Sequence, residues 1–245
     1  MLKLMKYEFR KQLFSKGIIL AIIAIIEGFF CYYVFTDDMQ KAATTIVVGL
    51  TIAICVLFFE AIECISTYSN DLKTRQSYML FMTPHSSYCI LGAKVLTMVV
   101  TIISSAFMFL LIGFADFNLA FAKFSTLDEL YKALKQFIDL DINFGNVTIY
   151  TSNFVIGWIN FVILAFFAIT LSTTFLANRK GKGLVSVVLF FVILYLEANC
   201  TDLVQRLISP DSLLTTSIEN MLCNVVYATI AYITSAYMLD KKVSL

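Results

Sequence analysis

Five glutamates interrupt the long apolar stretches of this chain, and their type and position make them the first candidates for chemistry. They are Glu27, Glu60, Glu63, Glu197 and Glu219. A charged side chain at the centre of a bilayer costs about 2.5–3.5 kcal/mol on insertion scales, so such residues usually face a bundle interior or a cavity. They are therefore candidates for an ion or substrate pathway. The alternative, a structural role near the membrane surface or in an ion pair, is favoured for Glu197 and Glu219, and both roles stay open for Glu27.

Glu60 and Glu63 are three residues apart, which places both on one face of a helix. We expect them to pair with basic residues such as Arg10 or Arg75. An intramembrane metalloprotease would need several metal ligands, usually His, on facing helices. The single histidine, His85, falls in a loop, so no metal site is predicted.

The sequence offers no other catalytic pattern. It has no G-x-x-x-x-G-K-[ST] phosphate loop, and the GKG at 181–183 is too short and follows no strand. The six cysteines form no C-x-x-C pair, so zinc or redox chemistry has no supporting spacing. A disulfide between Cys200 and Cys223, near the same predicted membrane surface, is left open. We therefore predict no enzyme activity, no catalytic residue and no cofactor in this chain.

The elements that must position these residues are membrane-spanning helices. Hydrophobic residues make up 60% of the 245 residues and charged residues only 14%, against roughly a quarter charged in soluble domains. Because lipid offers no hydrogen bonds to the backbone, each apolar run of roughly 20 residues is expected to be a helix. The expected fold is a single all-α integral membrane domain over 1–245. Its six predicted spans are 17–36, 42–66, 90–114, 151–177, 184–200 and 216–239.

Basic residues divide unequally between the two ends of these spans. Thirteen Lys and Arg fall in the N-terminal segment, in the loops after the second and fourth spans and in the C-terminal tail, and five fall elsewhere. Because Lys and Arg are enriched in cytoplasmic loops, both termini are predicted to be cytoplasmic. The predicted location is a bacterial plasma membrane.

Three segments beside the spans complete the expected architecture. Residues 1–16 place apolar side chains near one helical face, which predicts an amphipathic helix on the inner membrane surface, with a simple positive flank as the alternative. Within the largest outer segment, 115–150, the TLDE at 126–129 has capping-box form and predicts a short outer helix. The fifth span is short, and residues 201–209 after it predict a re-entrant helix.

A recognisable series of short segments runs from the N-terminal segment to the start of the third span. Most of it lies around the connection between the second and third spans. In order, the chain has KYEFRK at 6–11, Glu60 and Glu63, YSNDLKTRQSY at 68–78, LFMTP at 80–84 and ILGAK at 90–94. This order resembles the permease subunits of type-2 ABC transporters, the ABCG-like exporter class that includes bacterial peptide-antibiotic export and immunity permeases. Arg75 stands where that family commonly has Gly.

The resemblance implies a division of labour between chains. Two permeases, the same or homologous, would pair, and each would dock a separate cytoplasmic ATPase that binds the ATP and Mg²⁺. Closure of the ATPases would move a coupling loop at 67–89 and switch a cavity from inward to outward access. The implied cargo is amphipathic or peptide-like and is exported; no nucleic acid is involved. The expected docking residues are Asp71, Lys73, Thr74, Arg75, Gln76 and Tyr78.

Two other functions remain open at this point. An ion-coupled transporter or channel would use the carboxylates of Glu27, Glu60 and Glu63 and no ATP. A membrane anchor or sensor would use the N-terminal helix and the inner loop to hold a partner at the bilayer.

Overall fold

The computed structural model describes residues 2–73, 86–123, 144–175, 182–208 and 213–241, and these residues form six helices. Each helix is long and apolar enough to cross a membrane, which confirms the predicted all-helical fold with six candidate spans. The side on which the termini lie stays a prediction. The helices are α1 (Leu2–Phe35), α2 (Met39–Lys73), α3 (Ser87–Lys123), α4 (Phe144–Phe175), α5 (Lys182–Ile208) and α6 (Leu213–Lys241).

The helices are longer than the apolar runs that predict them. They contain 27 to 37 residues, whereas roughly 20 residues cross the hydrocarbon layer. At about 1.5 Å per residue, the helices extend beyond that layer or tilt within it. Residues that flank the apolar runs, such as Asp71 and Asp116, therefore belong to the same rigid helices.

The N-terminal segment does not form a separate surface helix, contrary to the prediction. α1 continues through Gly17 without a break. One glycine costs a helix only about 1 kcal/mol relative to alanine, which is too little to end it when both flanks favour helix. The burial pattern also differs from that of a surface helix, because Glu8 and Gln12 are buried while Leu13 and Phe14 are exposed.

The fifth helix is not short, and the predicted re-entrant segment is its continuation as far as Ile208. No Gly or Pro occurs between positions 184 and 209, so nothing local ends the helix. The hydroxyl of Thr201 donates to the carbonyl oxygen of Glu197 at 3.0 Å. This bond satisfies the polar side chain within the helix itself.

Parts of the predicted connections are helical, and other parts lie outside the described residues. α2 extends to Lys73 and α3 begins at Ser87, so 67–73 and 87–89 of the predicted coupling loop are helix. α3 also includes residues 115–123. The predicted outer helix that begins at 126 lies outside the described residues.

A tight turn joins α1 to α2. Asp37 has a left-handed backbone conformation with φ 58°. The amides of Asp37 and Asp38 donate to the carbonyl oxygens of Val34 at 3.4 Å and Tyr33 at 3.2 Å, which is the Schellman pattern at a helix end. The carboxylate of Asp38 then accepts a hydrogen bond from the amide of Lys41 at 3.4 Å and caps α2.

The described residues pack into two compact units, and α1, α2 and α3 contribute to both. The first, which we call the hairpin unit, contains residues 5–62 and 97–123. Its core is formed by α1, the start of α2 and the end of α3, through Phe30, Val34, Ala42 and Ala120.

The second unit, which we call the bundle unit, contains residues 2–4 of α1, the end of α2, the start of α3 and helices α4, α5 and α6. α4 packs against both α5 and α6. Ile163 and Leu164 of α4 meet Ala231 of α6 in its core, with partly buried apolar side chains of α5 around them.

Candidate functional site

A buried ion pair joins the end of α2 to the start of α3 in the bundle unit. The ammonium of Lys94 donates to the carboxylate of Asp71, and both side chains are less than a tenth exposed. Removing one partner of a buried pair typically costs about 3–5 kcal/mol, because the other charge is left uncompensated. The pair therefore fixes the spacing of the two helices that flank residues 74–85.

Two hydrogen bonds hold the neighbouring helix ends of the same unit. The hydroxyls of Tyr68 and Thr170 lie 2.6 Å apart in a buried position, which links α2 to α4. Ser87 donates to the carboxylate of Asp240 at 3.2 Å, which links α3 to α6. Together with the ion pair they form what we call the helix-end clamp, made of Tyr68, Asp71, Ser87, Lys94, Thr170 and Asp240.

Among the predicted docking residues, Asp71 is buried and paired with Lys94, 23 positions further along the chain. Its docking role stays a prediction. Lys73 ends α2. The remaining predicted docking residues, Thr74, Arg75, Gln76 and Tyr78, lie outside the described residues, and their role stays a prediction.

Glu60 is buried in the hairpin unit and makes two contacts. Its Oε1 accepts from the ammonium of Lys16 at 2.5 Å, and its Oε2 accepts from the hydroxyl of Ser105 at 2.9 Å. The predicted pairing with a basic residue is therefore confirmed, although the partner is Lys16 rather than Arg10 or Arg75. Glu60 links α1, α2 and α3.

Glu63 and Glu219 differ from Glu60, because each has one buried carboxyl oxygen without a hydrogen-bond partner among the described residues. Both belong to the bundle unit. Next to Glu219, Asn220 accepts a hydrogen bond from Gln205 of α5 at 2.8 Å.

A cavity of about 260 Å³ lies between α1, α2 and α3 in the hairpin unit. Glu27 of α1 and Asp116 of α3 both line it, and their carboxyl groups are close enough to interact with each other. The rest of the wall is apolar apart from Thr45. Gly49 and Gly113 also line the cavity, and a methyl group at either position would meet no neighbouring atom within 4 Å.

Two carboxyl groups can share a hydrogen bond only when the pair holds a proton, because an ionised carboxylate has no donor. Like charges this close cannot both persist unless a cation joins them. No basic residue occurs among the described residues that line the cavity. The arrangement can therefore hold a proton or a cationic group, with apolar walls around it.

A polar cluster crosses the bundle unit from α4 to α5 and α6. The side-chain amide of Asn160 donates to the carboxylate of Glu197 and, at 3.2 Å, to the side-chain oxygen of Asn224. Glu197 thus accepts a hydrogen bond from one carboxamide, that of Asn160, and Asn160 in turn is held by Asn224. Glu197 also lines an apolar groove of about 190 Å³ with Cys200.

Sequence reasoning missed Asp116, Asn160 and Asn224. Asp116 lies beyond the third predicted span, which ends at 114, whereas α3 continues to Lys123. The two asparagines carry no charge, so charge within the apolar runs does not reveal them. Their polar side chains within those runs are the signal that points to Asn160 and Asn224.

The cysteines and the metal-binding residue types give no further site among the described residues. All six cysteines are free, so Cys200 and Cys223 do not form the disulfide left open above. No group of three or more His, Cys, Asp or Glu residues that could hold a metal ion occurs in the part of the chain that the structure describes.

Comparison with known proteins gives no family for the chain: no family model, no curated protein and no solved structure matches it.

Proposed function

We propose that this chain is the membrane-spanning permease subunit of an ATP-driven exporter in a bacterial plasma membrane. The helix-end clamp is the observation that carries the proposal. It ties both ends of the α2–α3 connection to α4 and α6 through buried or partly buried side-chain contacts. That connection contains the residues that resemble the coupling segment of type-2 ABC permeases. A displacement applied there would move four helices of the bundle unit together.

A partner ATPase would supply the energy, since the sequence has no phosphate-binding loop. Lys73, Thr74, Arg75, Gln76 and Tyr78 are the proposed docking residues. Asp71 would act inside the permease, where its pairing with Lys94 holds α2 against α3. A second copy or a homologous permease would complete the path for an amphipathic or peptide-like cargo.

The test uses the full chain with each candidate ABC ATPase of the same genome, purified together and placed in lipid vesicles. Arg75→Glu should weaken the complex and abolish cargo-stimulated ATP hydrolysis, because it reverses a charge on the docking segment. Lys123→Glu is the matched control, since Lys123 is an exposed lysine at the opposite end of α3, and it should change neither quantity. An unchanged complex and unchanged hydrolysis in Arg75→Glu would show that the docking assignment is wrong.

The clamp is tested separately from docking. Lys94→Met should leave the complex assembled but lower the stimulated hydrolysis, because α2 and α3 are no longer held together. The exchanged pair, Asp71→Lys with Lys94→Asp, should restore part of it. Equal hydrolysis in the wild type and in a folded Lys94→Met variant would remove the clamp from the mechanism.

A second candidate function, ion-coupled transport, is favoured by the carboxyl pair of Glu27 and Asp116 in its cavity. In that case the purified chain alone, in liposomes, would move cargo when an ion gradient is applied without ATP. Glu27→Gln would abolish this movement. Absence of any transport under these conditions would eliminate the second candidate.

A further inference from the structure

The polar cluster of α4, α5 and α6 contains a buried hydrogen-bond acceptor without a donor. Asn160 is only 3% exposed. A carboxamide nitrogen has two hydrogens, and Asn160 directs them to Glu197 and to Asn224. Its oxygen, Oδ1, is also buried and has no hydrogen-bond partner among the described residues. Such orphaned groups are rare in folded proteins and call for a physical reason.

The neighbouring carboxyl group can supply the missing donor only in one protonation state. An ionised carboxylate accepts hydrogen bonds and donates none, whereas a protonated carboxyl has one O–H donor. A carboxylic acid and a carboxamide that lie edge to edge make two hydrogen bonds. The amide N–H donates to one acid oxygen, and the acid O–H donates to the amide oxygen. The first of these bonds is present between Asn160 and Glu197.

We propose that Glu197, Asn160 and Asn224 form a proton-binding site where α4, α5 and α6 of the bundle unit meet. The ligand is a single proton, carried on the second oxygen of Glu197 and donated in a hydrogen bond to Oδ1 of Asn160. Asn224 holds the Asn160 carboxamide in place by accepting its other N–H. This assignment is independent of the proposed partner ATPase.

The groups that face Glu197 from the packed helices favour the neutral acid. From α4 the facing group is Asn160, which does not titrate. From α6 the facing group is Tyr227, which lines the same groove. Neither side chain can carry a positive charge, so they supply none to balance a carboxylate.

Charged groups on the same helices are further away along their axes. Among the described residues that line the groove at Glu197, none is basic, and Cys200 is the other titratable group of α5 there. Arg206 of α5 is two and a half turns further along, roughly 13.5 Å at 1.5 Å per residue.

Binding and release of this proton would change how α5 is held. The protonated acid adds a hydrogen bond from α5 to α4, and release of the proton removes it and leaves a carboxylate in apolar surroundings. Loss of the proton would therefore favour a rearrangement that exposes Glu197 to the adjoining groove or to water.

The experiment is infrared difference spectroscopy of the full-length protein in lipid vesicles, recorded between acidic and alkaline pH. Glutamate labelled with ¹³C at its carboxyl carbon separates its bands from those of aspartate. We expect a band from a protonated glutamate carbonyl that is lost in Glu197→Gln. The same band should shift to higher frequency in Asn160→Leu, because the acid loses its hydrogen-bonded partner. Glu219→Gln is the matched control and should leave the band in place.

Two results would overturn the proposal. One is an identical set of glutamate carboxyl bands in the wild type and in Glu197→Gln at every pH at which both are folded by circular dichroism. The other is a Glu197 band that does not move in Asn160→Leu, which would mean that water or another group satisfies the amide oxygen. Because Asn160→Leu retains Glu197, it keeps the test decisive if Glu197→Gln does not fold.

Discussion

Polar side chains in the apolar helices are held in position by hydrogen bonds and ion pairs with neighbouring helices, and Glu60 is the clearest case. Its carboxylate takes one hydrogen bond from Lys16 and one from Ser105, so a single residue connects three helices. A charge without partners in apolar surroundings is very unfavourable. Glu60 is therefore a structural residue of the hairpin unit, whereas Glu27 and Glu197 face cavities.

We expect Glu60→Gln to lower the free energy of unfolding by about 1–3 kcal/mol, because Lys16 loses its counter-charge. The cost stays below that of a fully buried pair, since the Lys16 side chain is 26% exposed and can reach water. Chemical unfolding in detergent micelles measures the change. Ser105→Ala, which removes one neutral hydrogen bond, should cost less; a larger loss for Ser105→Ala would contradict this ranking.

The cavity beside Glu27 and Asp116 can be filled without disturbing its walls. A leucine at Gly113 would extend into the open space found there. We expect Gly113→Leu to change the unfolding free energy by less than about 1.5 kcal/mol, while cargo transport falls several-fold. Gly28→Leu is the matched control, since Gly28 also has open space around it but does not line this cavity. Equal transport in the two variants would show that the cavity is not on the pathway.

The sequence identifies Glu27, Glu60 and Glu197 as polar residues within apolar runs, but it does not identify the side chains that they contact. The charge of Glu60 in an apolar run predicts that a basic residue lies beside it. Which cation supplies it depends on how α1 packs on α2, and 44 residues separate Lys16 from Glu60. The position of Asp116 within α3 was not predicted, because hydropathy locates only the apolar part of a helix. Backbone hydrogen bonding continues the helix beyond that part.

For the helices, the apolar runs predicted their number correctly but not the residues at which they begin and end. Nothing in the hydropathy of 1–16 or 201–208 resembles a membrane core, yet both segments continue a helix that the apolar run has already begun. Adding a residue to an existing helix needs no new nucleus, so polar flanks follow unless Gly or Pro stops them. The turn after α1 also ends a helix, but it does so with Asp37 and Asp38 in place of Gly or Pro.

We expect Asp37→Gly to stabilise the α1–α2 hairpin by up to about 1 kcal/mol, because glycine adopts the left-handed conformation without strain. The ion pair that the substitution removes, between Asp37 and Lys123 at 3.3 Å, is exposed and contributes little. Thermal unfolding checks the sign. A lower unfolding temperature in Asp37→Gly would mean that the carboxylate, not the backbone, matters at this position.

The cap on α2 should make the stability of the hairpin depend on pH. The hydrogen bond from the Lys41 side chain, followed by that from its amide, holds the pKa of Asp38 below its ordinary value. A folded pKa below the unfolded one adds stability above the unfolded pKa, and this stability is lost as pH falls through the folded value. We expect Asp38→Asn, measured by unfolding at a series of pH values, to flatten this acid-side decline. An unchanged pH profile would show that Asp38 does not contribute to it.

At the scale of the whole molecule, the unequal distribution of Lys and Arg predicts that both termini face the cytoplasm. Protease-cleavable tags at the two ends should be protected in intact cells and cleaved together in inverted vesicles. A tag inserted between α3 and α4, within 124–143, should be cleaved in intact cells. Cleavage of only one terminal tag in inverted vesicles would contradict an even number of spans.

We propose that this chain moves an amphipathic cargo with energy from a separate ATPase. The most direct measurement is cargo accumulation in inside-out vesicles that contain the chain, its ATPase or both. We expect ATP-dependent uptake only when both proteins are present, and its loss in Arg75→Glu with the chain still inserted. Uptake by the chain alone, driven by an ion gradient and indifferent to ATP, would contradict it.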